Sequence, residues 1–131
     1  MRVVFDTNIF VSAVAFPRSR AEQALLRVVA RKDFLIVSKP IIDELLTVLA
    51  RKFSRDREEL SRLAFFISEL GEVVHPELKI GHLEDEADNR VLECAIAGRA
   101  EAIVTGDHAM LKLGNYENVS IITLRDYLNS T

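Results

Sequence analysis

Short apolar runs rich in β-branched residues alternate along this chain with longer stretches whose apolar residues recur at helical spacing. Runs of the first kind predict buried strands, and stretches of the second kind predict amphipathic helices. The predicted strands are residues 3–5, 34–37, 73–74, 102–104 and 119–122. The predicted helices are residues 9–14, 20–31, 39–52, 55–70, 86–97 and 108–113, with a last helix after Thr123. This alternation indicates βαβ units and a mostly parallel sheet of about five strands.

Residues that typically begin or end helices agree with these boundaries. Ser38 and Asp85 each precede a predicted helix, where a side-chain oxygen can cap the first turn. Pro40 falls in a first turn, where proline is tolerated, while Gly71 and Gly98 follow predicted helix ends. Neither a linker nor an internal repeat is visible, so a single domain over residues 1–131 is expected.

Composition narrows the classes of protein that remain. The chain of 131 residues carries a net charge of −3, which argues against nucleic-acid binding driven by bulk charge. A single cysteine, Cys94, permits no internal disulfide and suits a reducing compartment. The sequence shows no signal peptide and no apolar stretch near the ~20 residues of a membrane span, so a cytoplasmic protein is expected.

Four acidic residues fall at positions that suggest a shared site. Asp6 ends the first predicted strand, and Asp107 follows the strand 102–104. In open parallel sheets, ligands bind beyond the carboxyl ends of the strands. Asp88 lies in line with the apolar stripe of its helix, and Glu44 borders the buried face of another. Carboxylates turned toward a core are costly unless a cation or hydrogen bonds compensate them.

The residue types fit a hard divalent cation. Mg²⁺ and Mn²⁺ take oxygen ligands, activate water and stabilise charge on a transferring phosphoryl group. Each acid also has a structural alternative: Asp6, Asp85 and Asp107 as helix caps, Asp88 as a first-turn acid, and Glu44 as a partly exposed helix residue. A single alternative is credible alone, but all of them together are a weaker account of this arrangement.

The same residues resemble the motifs of PIN-domain proteins. The opening Val-Val-Phe-Asp6-Thr7-Asn8, the stretch from Asp85 to Ala95, and Thr105-Gly106-Asp107 are similar to three of that family's acidic motifs, in the same order. Glu44 stands where the family keeps a glutamate on a helix. The link between Glu44 and Asp88 carries a full extra helix, as in the toxin branch related to the VapC type.

The resemblance implies a three-layer α/β/α sandwich and a Mg²⁺- or Mn²⁺-dependent endoribonuclease that cleaves single-stranded RNA. It makes Asp6, Glu44, Asp88 and Asp107 the catalytic and metal-binding quartet. In support, Asn8 would orient Asp6, and Thr105 would hydrogen bond within the site. The resemblance also implies a homodimer and an antitoxin protein as partner.

Other readings stay open. A non-catalytic scaffold that binds RNA or protein is the main alternative to an enzyme. An aspartyl phosphatase is disfavoured because Asn8 occupies the position of its usual second aspartate. Arg18 and Arg20 are candidates for contact with phosphate. The basic stretch 51–57, with Phe53 stacking on a base, is either an RNA contact or a solvated helix junction.

Overall fold

In a computed structural model, which describes residues 1–130, the predicted alternation forms a three-layer α/β/α sandwich around a mostly parallel sheet. The strands are β1 Arg2–Phe5, β2 Phe34–Ser38, β3 Glu72–Val74, β4 Ala102–Val104, β5 Asn115–Tyr116 and β6 Val119–Ile122. The helices are α1 Thr7–Ala15, α2 Arg20–Val29, α3 Lys39–Phe53, α4 Arg57–Leu70, α5 Glu86–Ala97, α6 His108–Leu113 and α7 Leu124–Asn129. The predicted fold class is confirmed.

The expected number of strands was too low by one. The additional strand, β5, is two residues long and pairs antiparallel with β6 at the edge of the sheet. Neither of its residues is buried. A strand this short and this exposed leaves no apolar run, so hydrophobic periodicity cannot reveal it.

The order of the strands creates the place where a site can form. The sheet runs β3-β2-β1-β4-β6-β5. From β1 the chain first adds strands on one side, then crosses to β4 and adds strands on the other. The switch point between β1 and β4 opens a crevice at the carboxyl ends of the strands. Asp6 follows one of these two strands directly, and the Thr105–Asp107 segment follows the other.

Burial in the centre of the sheet is nearly complete. Val3, Val4 and Phe5 of β1 are fully buried, as are Ile103 and Val104 of β4. The ring of the fully buried Tyr127 from α7 packs edge to face against Phe5, with ring centroids 5.7 Å apart. Among residues 1–130, no helix combines the length and apolar character that a membrane crossing requires.

The predicted capping role of Ser38 is wrong. Ser38 occupies the N-cap position of α3, but its hydroxyl makes no capping hydrogen bond and is fully buried. The hydroxyl lies near the thiol of Cys94 on α5, and within residues 1–130 it makes no hydrogen bond. Burial raises the pKa of that thiol to about 12. Packing against α5 therefore decides the orientation of this side chain.

Gly98 sets how closely α5, which carries Asp88, approaches the sheet. A Cβ atom at Gly98 would overlap Cγ2 of Ile36, a fully buried and branched side chain of β2 that has little room to move. We expect Gly98→Ala to lower the free energy of unfolding by about 1–3 kcal/mol through overpacking. Gly81→Ala is the matched control, because a Cβ there meets no atom within 4 Å. Urea denaturation of both variants checks this, and equal midpoints would contradict it.

Candidate metal centre

Asp6 is held at the switch point by both its backbone and its side chain. Its amide donates to the carbonyl oxygen of Val104 at 3.0 Å, so the pairing of β1 with β4 extends to the acid itself. Its carboxylate occupies the N-cap position of α1 but makes no capping hydrogen bond. Instead, Asp6 Oδ2 accepts a hydrogen bond of 2.6 Å from the hydroxyl of Thr105. The cap alternative therefore does not describe this side chain.

The hydroxyl of Thr105 also connects Asp6 to Asp107. The fully buried Thr105 accepts a hydrogen bond of 3.0 Å at Oγ1 from the amide of Asp107. Asp107 Oδ2 accepts from the amide of Met110 at 3.0 Å and thereby caps α6. Asp107 is thus a helix cap and a neighbour of Asp6 at once, so its two interpretations are compatible.

Asp88 and Glu44 reach the same region from two helices. Asp88 lies in the first turn of α5 and is only 6% exposed. Its carboxyl lies close enough to Asp107, Asp85 and Asp6 for their charges to act on it. Glu44 is half-buried on α3, close enough to Asp6 for the two charges to interact. The four acids therefore meet at one end of the sheet.

The electrostatics of these acids are unfavourable without a cation. Burial raises the pKa of Asp88 to about 7, with further contributions from the charges of Asp107, Asp85 and Asp6. Burial and the charge of Asp107 raise the pKa of Asp6 against the opposing hydrogen bond from Thr105. Burial and the charges of Asp6 and Asp85 raise the pKa of Glu44. A divalent ion bound among these carboxylates would relieve this repulsion.

The donor set fits Mg²⁺ or Mn²⁺ in kind. All four side chains offer hard oxygen atoms, and no histidine or cysteine stands among them. Within residues 1–130, however, no three acidic, histidine or cysteine side chains converge closely enough to form a ready ligand cage. Mg²⁺ usually keeps several waters and binds through one or two carboxylates, so a complete protein cage is not required.

A fifth acid, Asp85, lies beside the quartet. Its carboxylate accepts from the amide of Ala87 at 2.8 Å, which confirms its predicted role as the cap of α5. Its charge also raises the pKa of both Glu44 and Asp88. The spacing of one helical turn between Asp85 and Asp88 is the sequence signal for this proximity.

Three other predicted site residues do not contact the carboxylates through their side chains. Asn8 is exposed, and among residues 1–130 no hydrogen bond joins its side chain to Asp6. Thr105 is the residue that fixes the orientation of Asp6. Arg18 and Arg20 are exposed beyond the far end of α1, which is roughly 13 Å long for its nine residues.

The sequence analysis did not identify the hydrogen bonds that hold the segment before α5 in place. Asn89, which is fully buried, binds both backbone groups of Leu83: its side chain accepts from the amide and donates to the carbonyl, each at 2.8 Å. The buried carboxylate of Glu93 accepts from the amide of Ile80, also at 2.8 Å. These contacts fix the segment that leads to Asp85. The available sequence signal was the pair Asn89 and Glu93, two polar residues one helical turn apart among apolar residues of α5.

The shift at Asp88 gives a pH dependence with a definite sign. Because its pKa is about 7 in the folded protein against an ordinary 3.8, its ionisation opposes folding. The metal-free protein should therefore lose stability as the pH rises from about 4 through 7, by at most about 4 kcal/mol. Asp88→Asn should flatten this loss and melt above the wild type at pH 8, whereas the exposed control Asp126→Asn should not. Thermal melts in EDTA at pH 5 and 8 test this, and identical pH profiles for Asp88→Asn and the wild type would contradict it.

Comparison with known proteins places this geometry in context. A family model described as PIN domain matches residues 2–109. The uncharacterized protein MJ1680 of Methanocaldococcus jannaschii is 26% identical over 117 residues, which cover 86% of this chain and 75% of that protein. Two solved structures share the fold, each at 18% identity and a TM-score of 0.66. One is the structure of VapBC2 from Rickettsia felis bound to a DNA fragment from its promoter. The match covers 94% of this chain and 98% of the chain in that structure. The other is the structure of VapBC-1 from nontypeable Haemophilus influenzae, where the match covers 95% of this chain and 99% of the chain in that structure.

Proposed function

Because the chain belongs to the PIN-domain family, we propose that it is a divalent-metal-dependent endoribonuclease that cleaves phosphodiester bonds of single-stranded RNA. The observation that carries the proposal is the meeting of Asp6, Glu44, Asp88 and Asp107 at the switch point, with the pKa of three of them raised by burial and mutual charge. Groups with such shifts in a crevice are typical of functional sites.

The side chains divide the work between binding and positioning. The four carboxylates would hold Mg²⁺ or Mn²⁺, which when bound would lower the pKa of a water and offset charge on the phosphate. Thr105 keeps Asp6 in one rotamer through its 2.6 Å hydrogen bond, while the cap on Met110 keeps Asp107 in place. Asn8, which is exposed in the first turn of α1, would contact substrate or solvent rather than orient Asp6.

The biological setting belongs to the same proposal. The likeness to VapBC2 and VapBC-1 supports a toxin of a toxin–antitoxin pair, silenced by an antitoxin protein. We further propose that the chain acts as a homodimer in the cytoplasm and that Arg18 and Arg20 bind substrate.

One observation favours a second candidate, a non-catalytic module of the same fold that holds RNA or protein. The four acids are not gathered as a ready ligand cage within residues 1–130. Retention of all four acids, at a cost in buried charge, favours the nuclease. The two candidates differ in whether RNA is cut when metal is supplied.

The cleavage test uses a mixed RNA pool with Mg²⁺ or Mn²⁺ and sequencing of the cut ends. Asp6→Asn and Asp88→Asn should each lower the rate at least about 100-fold, because either change removes a charged oxygen ligand. Asp43→Asn is the matched control: this exposed acid on α3 pairs with Lys39 at 2.7 Å, beside Glu44 in sequence but outside the quartet. Cleavage in EDTA, or full activity in both site variants, would contradict the proposal.

Metal binding can be measured apart from cleavage. Since protonated Asp88 must release its proton to become a ligand, affinity for Mn²⁺ should rise as the pH increases through about 7. Calorimetric titration at pH 6 and 8, in buffers of different ionisation enthalpy, measures both the affinity and the proton release. An affinity that is the same at both pH values, without proton release, would exclude Asp88 from the ligand set.

A further inference from the structure

A group of cations and aromatic rings lies where α1 and α3 end. The rings of Phe16 and Phe53 pack edge to face with centroids 6.1 Å apart and an interplanar angle of 83°. Phe16 is 55% exposed, whereas Phe53 is half-buried. We define the basic–aromatic cluster as these two rings with the flanking cations: Phe16, Arg18, Arg20, Arg51, Lys52 and Phe53.

The cations of the basic–aromatic cluster are available for a ligand. Arg18, Arg20, Arg51 and Lys52 are all exposed, and among residues 1–130 none of them forms an ion pair. Neighbouring arginines differ: Arg55 pairs with Glu59 at 3.1 Å, and Arg62 pairs with Glu58 at 3.2 Å. Unpaired cations concentrated at one place in a chain of net charge −3 indicate attraction for a polyanion.

The turn that presents Arg18 is itself fixed. Its backbone adopts a φ of 68°, which is uncommon for a residue other than glycine. Its amide donates to Glu22 Oε1 at 3.0 Å, and Ser19 caps α2 beside it. The loop between α1 and α2 is therefore held in one shape, with the ring of Phe16 exposed.

The two helices connect the basic–aromatic cluster to the carboxylates. α1 begins directly after Asp6 and packs against α3, which carries Glu44. Arg51 lies seven residues after Glu44 on the same face of α3, at a separation of about 10 Å. The path along either helix spans roughly 10–13 Å, which matches three to four stacked nucleotides at about 3.4 Å each.

We propose that single-stranded RNA engaged at the carboxylates runs along α1 and α3 to the basic–aromatic cluster, where a base stacks on Phe16 and phosphates contact Arg51 and Lys52. The proposal rests on the proposed function for its substrate. The sequence offers Phe53 as a candidate stacking ring, but Phe53 is half-buried against Phe16, which is 55% exposed. An exposed ring among unpaired cations is the combination that binds single strands without reading their sequence.

The test measures binding of the wild-type chain to a fluorescent 12-nucleotide RNA in EDTA, where cutting cannot interfere. Phe16→Ala and Phe16→Leu should each weaken binding about 5- to 20-fold, because both remove the stacking surface while Leu keeps apolar bulk. Phe65→Ala is the matched control, since Phe65 is 67% exposed on α4.

The double variant Arg51→Ala with Lys52→Ala should reduce the slope of log affinity against log salt by about 1.4. Its control is Arg31→Ala with Lys32→Ala, two exposed cations in the turn before β2 and outside the basic–aromatic cluster.

The outcomes separate this proposal from the cleavage chemistry. If the cluster variants bind like their controls, the path is wrong even when the wild type cuts RNA with metal. If the wild type never cuts but the variants lose binding as stated, RNA binding at the basic–aromatic cluster stands and the nuclease fails. Polyglutamate that competes as well as RNA of equal charge would also overturn the proposal, because it would make the cluster a general polyanion site. Thermal melts of each variant verify that the fold is intact.

Discussion

The hydrogen bond from Thr105 to Asp6 is the constraint on which the rest of the site depends. It joins residues 99 positions apart because β1 and β4 are parallel neighbours at the switch point. Residues 3–5 of β1 and all of β4 are buried, so the carboxyl ends of the two strands cannot separate without exposing the core. Any acid placed after either strand must therefore share space with an acid after the other.

Because of that constraint, the buried carboxylates repel one another, which is electrostatically unfavourable in the folded protein. The hydroxyl of Thr105 and the amide of Met110 offset a part of it, but the remaining repulsion appears as raised pKa values at Asp6, Glu44 and Asp88. A sequence selected for stability alone would place apolar or neutral residues at such buried positions, because unpaired buried charge is expensive. Four acids in one place are instead expected where a cation belongs to the working state. The unfavourable energy of these acids without a cation therefore supports a metal-binding site.

Much of this arrangement is encoded in local pattern, and part of it is not. Helical spacing alone identified Asp88 as core-facing, since Val91, Leu92 and Ala95 complete its stripe. Asp6 and Asp107 both follow strands, and spacing does not predict that Asp107 caps a helix whereas Asp6 does not. The hydrogen-bond partner of Asp6 is Thr105, which follows β4 and is distant in sequence. Ser38 failed as a predicted cap for a similar reason: α5 supplies the neighbour of its hydroxyl. Contacts between segments that are distant in sequence decide both cases, and the local pattern of a single segment does not contain them.

The net charge of −3 illustrates how a correct sum can mislead about binding. Bulk charge does argue against non-specific attraction to nucleic acid. The fold, however, sorts the charges: the acids gather at the carboxyl ends of β1 and β4, and unpaired cations gather where α1 and α3 end. Over a distance of roughly 10–13 Å, close to the screening length of physiological salt, these regions act on a ligand separately. A polyanion can thus be attracted by one region while its phosphate approaches the other, provided that a bound cation cancels the acidic field there.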